Sequence, residues 1–159
     1  MLPPFEDYRM AGRTYRYMTA EPQYPFGFGL GYAQFAYLDL TLEKSSIRAG
    51  EMLTAEVTLL NAGRQEADEV AQFYLSDLQT SVPAPIHKLV GFQRVRLEPG
   101  ERQRIAFTVT PEMMTLVDEA GEAVLEAGQF RLAVGGCSPG GRGERLGAPR
   151  GEWAIFDVI

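Results

Sequence analysis

At 159 residues, 45% hydrophobic and 23% charged, the chain is sized for one globular domain plus an extension, and no apolar run approaches the about 20 residues that span a bilayer. Its 21 acidic against 15 basic residues leave a net charge of -6, which argues against the basic footprint that non-specific nucleic-acid binding requires. The single cysteine, Cys137, excludes an internal disulfide and reads as a small buried or loop thiol rather than a nucleophile.

The first ten residues, MLPPFEDYRM, carry neither a basic n-region nor an apolar h-region, so no signal peptide is read there and no compartment is assigned. Residues 1–23 form an arm in which Tyr8, Tyr15 and Tyr17 interleave with Arg9, Arg13 and Arg16. Aromatic and basic residues together can make a platform for single-stranded nucleic acid, but Glu6, Asp7 and Glu21 cancel the three arginines. The arm therefore reads as a segment that lies along another domain, on its own sandwich or on a second copy of the chain, because Tyr and Arg are enriched in interface cores. Residues 24–34 follow as an aromatic and glycine-rich connector, YPFGFGLGY over Tyr24 to Tyr32. Three glycines in five positions weaken both helix and strand, and Pro25 removes a donor, so the stretch is expected to be a packed connector with buried Tyr24, Phe26, Phe28 and Tyr32.

From residue 35 onward the period is two. Tyr37, Asp39, Thr41 and Glu43 alternate with Leu38, Leu40 and Leu42, and this first strand is expected to end near Lys44. Leu53, Ala55, Val57 and Leu59 make a second strand closed by the turn Asn61-Ala62-Gly63. Glu69 to Ser76 is apolar on both faces, which fits a central strand. Pro83 and Pro85 mark a loop before a strand over Ile86 to Leu97 that is broken at Gly91. Glu98-Pro99-Gly100-Glu101 is a turn, after which Ile105, Phe107 and Val109 face inward. A short helical turn is expected at Pro111 to Leu116, further strands at Val117 to Asp118, Ala123 to Leu125 and Phe130 to Val134, and a last strand at Trp153 to Val158. Seven or eight short strands with turn signals at this spacing predict an all-β immunoglobulin-like or fibronectin type III-like β-sandwich over residues 35–159, with an N-terminal extended arm.

Few residues invite a chemical reading. His87, the sole histidine, has no cysteine nearby and sits in a proline-flanked loop, so it is expected at the surface, with no metal-ligand spacing to support another role. Glu66, Asp68 and Glu69, and likewise Asp118, Glu119 and Glu122, stand beside predicted turns, where solvated carboxylates are the normal content. Gly135 to Gly151 contains Arg142, Arg145 and Arg150 but lacks the Gly-Lys-Ser/Thr ending of a phosphate loop, and it reads as a mobile loop.

GRTYRY (Gly12 to Tyr17), YPFGFGLGY (Tyr24 to Tyr32), DEVAQFYLS (Asp68 to Ser76), KLVGFQRVRLEPGE (Lys88 to Glu101), FTVTPEMM (Phe107 to Met114) and EAGQFRLAVGG (Glu126 to Gly136) are similar, in order and spacing, to the carboxyl end of family-three glycoside hydrolases. That family comprises the β-glucosidase and β-xylosidase group, and the resemblance runs from the arm to about Ser138. It implies a C-terminal fibronectin type III-like domain preceded by a linker from an absent domain. Gly31, where the family often has Ser, His87, where Lys or Arg is common, and the glycine-rich tail depart from the pattern.

The resemblance also implies where the chemistry lies. A retaining glycosidase needs two carboxyl groups about 5–5.5 Å apart. In this family the nucleophile is the Asp of a Ser-Asp-Trp motif on an upstream barrel, and the acid/base is also carried upstream. Ser76-Asp77 is followed by Leu78, and Trp153 follows Glu152, so neither matches. No catalytic residue, cofactor or metal is assigned, and the chain alone is expected to be inactive. The resemblance implies a non-catalytic accessory domain that stabilises upstream catalytic domains. Tyr8, Arg13, Tyr15, Arg16, Tyr17, Tyr24, Phe26, Phe28 and Tyr32 are the docking candidates, with self-association through the arm as a further possibility and no nucleic-acid or membrane partner. An independent carbohydrate-binding or protein-interaction module is the alternative, and an enzyme in its own right is opposed by the missing carboxylate pair.

Overall fold

Inward-facing residues at every second position force the alternating segments to close on one another. A computed structural model describing residues 4–159 shows how. One sheet holds β1 (Phe35–Leu42), β3 (Leu53–Asn61) and β6 (Arg102–Val109) in the order β1-β3-β6. The facing sheet has the order β2-β10-β9-β4-β5 and is made of β2 (Ser46–Ile47), β4 (Ala67–Asp77), β5 (Lys88–Leu97), β9 (Gly128–Gly135) and β10 (Glu152–Val158). All neighbours are antiparallel except β2, which runs parallel to β10, so the chain crosses between sheets just after β1. A small hairpin, β7 (Leu116–Val117) and β8 (Ala123–Val124), and three single turns of helix complete the set: α1 (Thr14–Tyr17), α2 (Pro111–Met114) and α3 (Gly141–Arg145). This is the all-β fibronectin type III-like sandwich expected from the alternation.

The core lies between the sheets. Leu53, Ala55, Val57 and Leu59 of β3 and Ile105 and Val109 of β6 meet Ala71, Phe73 and Leu75 of β4, Phe130, Leu132 and Val134 of β9, and Phe156 and Val158 of β10. Burying one such large side chain is worth about 1.5–3 kcal/mol, whereas strand propensity spans only about 1 kcal/mol, so the buried face sets the register.

β1 corrects the simple alternation. Phe35 and Tyr37 face the core, yet three positions after Tyr37 it is Leu40, and then Leu42, that pack against it. The register with β3 shifts between Leu38 and Thr41, and Asp39 sits at φ 55°, a left-handed conformation that Asp tolerates better than most residues. This β-bulge exchanges the inward and outward sets halfway along the strand.

The break expected at Gly91 is also a packing device. The register of β4 against β5 shifts between Phe73 and Tyr74, next to Gly91, and the Phe107 ring from the facing sheet stacks on Phe73 with centroids 4.2 Å apart. A Cβ on Gly91 would fall into that ring, 2.8 Å from Cζ. Gly91→Ala is expected to destabilise the fold by about 1–3 kcal/mol through overpacking, measurable by urea unfolding, and a Phe107→Leu background should relieve most of the loss.

Candidate functional site

A sheet of this kind normally leaves its outer face to solvent, but β4 is buried on both sides from Ala71 to Ser76. Of the outward-pointing members of that run, Gln72 and Tyr74 are covered by the segment that precedes the sandwich, while Ser76 meets Arg131 of β9. Pro25 to Gly27 is stitched down by a polar network as well as by the ring of Phe26. The Gln72 amide donates from Nε2 to the carbonyls of Gly27 (3.1 Å) and Gly136 (2.7 Å), and its Oε1 accepts from the Tyr74 hydroxyl (2.6 Å). The Ser138 N–H donates to the Phe26 carbonyl at 2.8 Å. Burial, and then the neighbouring Cys137 and Tyr15, push the Tyr74 phenol well above its ordinary range, so it acts only as a neutral donor here. The signal for this network in the sequence is a glutamine inside the apolar run VAQFYL.

Tyr15 anchors the rest of the arm. Its ring stacks on Phe26 at 4.1 Å and meets Tyr74 edge-on at 6.3 Å, and its hydroxyl accepts from the Leu89 N–H at 3.1 Å. One residue on, the Arg16 carbonyl accepts from the Ile86 N–H at 2.7 Å. Two further ties hold the far side: Arg142 Nε donates to the Gln23 carbonyl at 3.1 Å, and Arg145 pairs with Glu21. The stretch from Gly135 to Gly151, expected to be a mobile loop, is instead organised around α3 and these ties. Between arm and sheet runs a groove of about 1020 Å³ lined by Tyr15, Met18, Phe26, His87, Arg131 and Arg142, among others.

The nine docking candidates divide into two groups. Tyr15, and Phe26 by one face, hold the arm to the chain's own sheet. Arg13 braces the arm internally, donating to the Asp7 carbonyl at 2.6 Å, Arg16 contributes its backbone, and Tyr17 is half-buried with its carbonyl accepting from Gly12. Tyr24 stacks on the half-buried Phe28 at 5.9 Å but is 67% exposed, Tyr8 is 82% exposed and Tyr32 is 99% exposed. The connector expected to be packed is thus corrected: of its residues only Pro25 is buried, because backbone carbonyls and one face of Phe26 fasten it while the rings of Tyr24 and Tyr32 stay outside. Residues 1–3 of the arm lie outside the described residues.

His87 is a second correction. It is not at the surface but half-buried beneath the arm, against Tyr15 and Tyr74 at 5.8 Å each, with its Nε2 enclosed and without a hydrogen-bond partner among the described residues. Burial, and then the nearby Arg131 guanidinium, lower its pKa. The unfolded chain therefore binds the proton more readily, so the stability His87 confers is present above about pH 6.5 and is lost as pH falls below that value. Thermal midpoints between about pH 7.5 and pH 5.5 should drop more steeply for the wild type than for His87→Gln, and parallel curves would contradict this.

Among the carboxylates, Glu69 departs from the solvated setting expected of it. It accepts from the Tyr37 hydroxyl at 3.1 Å at one end of the core, and burial raises its pKa. Cys137, raised by burial and then by Glu69, is held as a thiol, which is a poor nucleophile. Asp77 accepts from the Gln79 N–H at 3.0 Å, and Glu126 accepts from Ser81, so this pair fastens neighbouring turns. Among the described residues no group of three or more His, Cys, Asp or Glu side chains is arranged to hold a metal ion.

Comparison with known proteins agrees with the architecture. A model of the fibronectin type III-like domain matches residues 69–138. A putative β-xylosidase from Formosa agariphila is 37% identical over 126 residues, 79% of this chain and 17% of that protein. A periplasmic β-glucosidase from Salmonella typhimurium is 34% identical over 72% of this chain and 15% of that protein. Among solved structures, a β-glucosidase from Erythrobacter marinus superposes with a TM-score of 0.77 at 30% identity, over 91% of this chain and 18% of its own. A β-glucosidase from Listeria innocua in complex with isofagomine gives 0.75 at 29% identity, over 97% of this chain and 20% of its own. The chain thus spans a fifth or less of the length of these relatives. It belongs to the fibronectin type III-like domains of the family-three glycoside hydrolases, the β-glucosidase and β-xylosidase group.

Proposed function

We propose that this chain is a non-catalytic accessory domain of a β-glycosidase acting on β-linked glucose or xylose, and that it stabilises the parent's catalytic part by packing against it. The observation that carries this reading is the pair of unlike faces on the segment before the sandwich. Tyr15 and the Gln72 network fix one face to the sheet, and the other presents Tyr8, Tyr24 and Tyr32 largely exposed. Large rings held on a pre-ordered backbone lose little entropy on docking, which is the property of an interface anchor. Residues 1–23 would then be the arm, 24–34 the connector and 35–159 the sandwich. Arg13, Arg16, Tyr17 and Phe28 would support the anchors from behind.

The test has two arms. The isolated chain should release no nitrophenol from nitrophenyl β-glucosides or β-xylosides. In the full-length parent, Tyr24→Ser and Tyr32→Ser should each lower stability by about 1–2 kcal/mol while leaving the isolated chain's melting point unchanged. Hydrolysis by the chain, or equal effects in both settings, would refute the reading. Leu30 and Tyr32, exposed at 91% and 99%, favour a second outcome for the free chain, self-association through the same face, which light scattering reads directly.

A further inference from the structure

The outer face of the five-stranded sheet is covered by the arm over β4 but open over β10, and the open part contains the chain's sole tryptophan. Trp153 is 62% exposed. In register it stands beside Ala133, which in turn stands beside the fully buried Tyr74. A methyl group between two large rings leaves a trough, about 280 Å³ in volume, with the indole as one wall and the turn after β9 as the other. That volume is at the lower end of small-molecule sites, suited to one or two rings.

The polar lining is mixed in a telling way. Arg131, Glu144, Arg150 and Glu152 border the trough, and none of the four forms an ion pair among the described residues. Two cations against two anions offer no net charge to an ionic ligand, but they supply donors and acceptors in equal measure around a flat apolar wall. A ligand that matches this has apolar C–H faces and a rim of neutral hydroxyl groups. We propose that Trp153 and its charged neighbours form a binding site for a neutral carbohydrate, with the sugar ring stacked on the indole and its hydroxyls bridged by the arginine and glutamate side chains. The site is separate from the exposed tyrosines of the arm, and it draws on the accessory-domain reading only for the choice of probe sugars.

Because Trp153 is the chain's single tryptophan, its emission reports on this position alone. Titration of the chain with xylotriose and with cellotriose should give a saturable change in tryptophan emission, half-complete at about 0.1–5 mM, the affinity of a single platform with few hydrogen bonds. Saturation-transfer NMR on the same sugars keeps a readout when the reporter is removed. Trp153→Ala, on an exposed strand position, should fold normally and weaken binding by roughly tenfold or more, while Trp153→Phe should stay within about threefold of wild type. Glu144→Gln should retain the emission change at reduced affinity. Flat emission through about 10 mM sugar would overturn the proposal. So would saturation transfer that survives Trp153→Ala, which would place the sugar on the Tyr24–Phe28 pair instead.

Discussion

Replacing Asn61 with alanine is expected to destabilise this domain by about 2–4 kcal/mol, a fall in Tm of roughly 4–16 °C for a chain of this length. Asn61 ends β3, is fully buried and uses its whole side chain. Nδ2 donates to the carbonyls of Gln65 and Leu97, both at 2.9 Å, and Oδ1 accepts from the Gly63 N–H at 2.9 Å. Its backbone joins the same crossing, donating to the Glu101 carbonyl at 3.1 Å and accepting from the Gly100 N–H at 2.8 Å. One residue therefore ties the β3–β4 turn, the end of β5 in the opposite sheet and the β5–β6 turn. Truncation opens the two partly buried turn groups to water, but the bond to the Leu97 carbonyl is fully buried, so its loss carries the penalty of a buried acceptor.

A carboxylate at the same position makes the cause testable. Asn61→Asp places acceptors against the Gln65 and Leu97 carbonyls, so at neutral pH it should cost more than Asn61→Ala. Protonation restores one donor, which raises the folded-state pKa of the new group above its unfolded value. Its stabilising contribution is then present below about pH 4 and is lost as pH rises through the folded value. Denaturant unfolding at about pH 4 and pH 7 should show the Asp variant recovering toward wild type at the lower pH while the Ala variant does not. Equal behaviour of the two would mean that space, not hydrogen bonding, governs the site.

Much of this architecture is legible in the residues, and the reasons are local. β3 declares itself because Leu53 to Leu59 alternate without interruption and one face is wholly buried. β4 declares itself as central because both faces of Val70 to Leu75 are largely apolar. What alternation hides is any device that depends on a partner strand. The bulge at Asp39 is invisible in a sequence whose polar and apolar residues continue to alternate through it, since only the opposing register of β3 shows which set faces inward. The two residues of β2 are too few to carry a period and pair only because β10 passes alongside.

The site was less readable than the fold for a related reason. Aromatic residues in a glycine-rich stretch suggest burial when composition is the guide, yet Tyr24 and Tyr32 face outward because Gln72, 40 or more positions along the chain, holds the backbone instead. His87 looks like a surface residue among prolines until Tyr15, more than 70 positions before it, is seen to cover it. Both corrections involve contacts at long sequence separation, about which periodicity is silent.

That long-range tether yields the second large effect, at Gly27. The residue sits at φ 78°, and a Cβ there would lie 2.8 Å from Gln72 Cδ and closer still to Oε1. Gly27→Ala must therefore adopt an unfavourable backbone conformation and also push aside the amide that bonds Gly27, Gly136 and Tyr74. The combined loss is expected to reach about 2–4 kcal/mol, but it acts on the tether and not on the core. The arm should come away while the sheets persist. Hydrogen exchange separates the two cases: the amides of Ile86 and Leu89, which donate to Arg16 and Tyr15, should lose protection, whereas those within β3 should keep theirs. Gly29→Ala in the same motif is the control, since a Cβ there meets nothing within 4 Å and φ is not positive. If the two variants exchange alike, the Gln72 network does not hold the arm, and the ordered face on which the docking reading depends would have to be held by the Tyr15 stack alone.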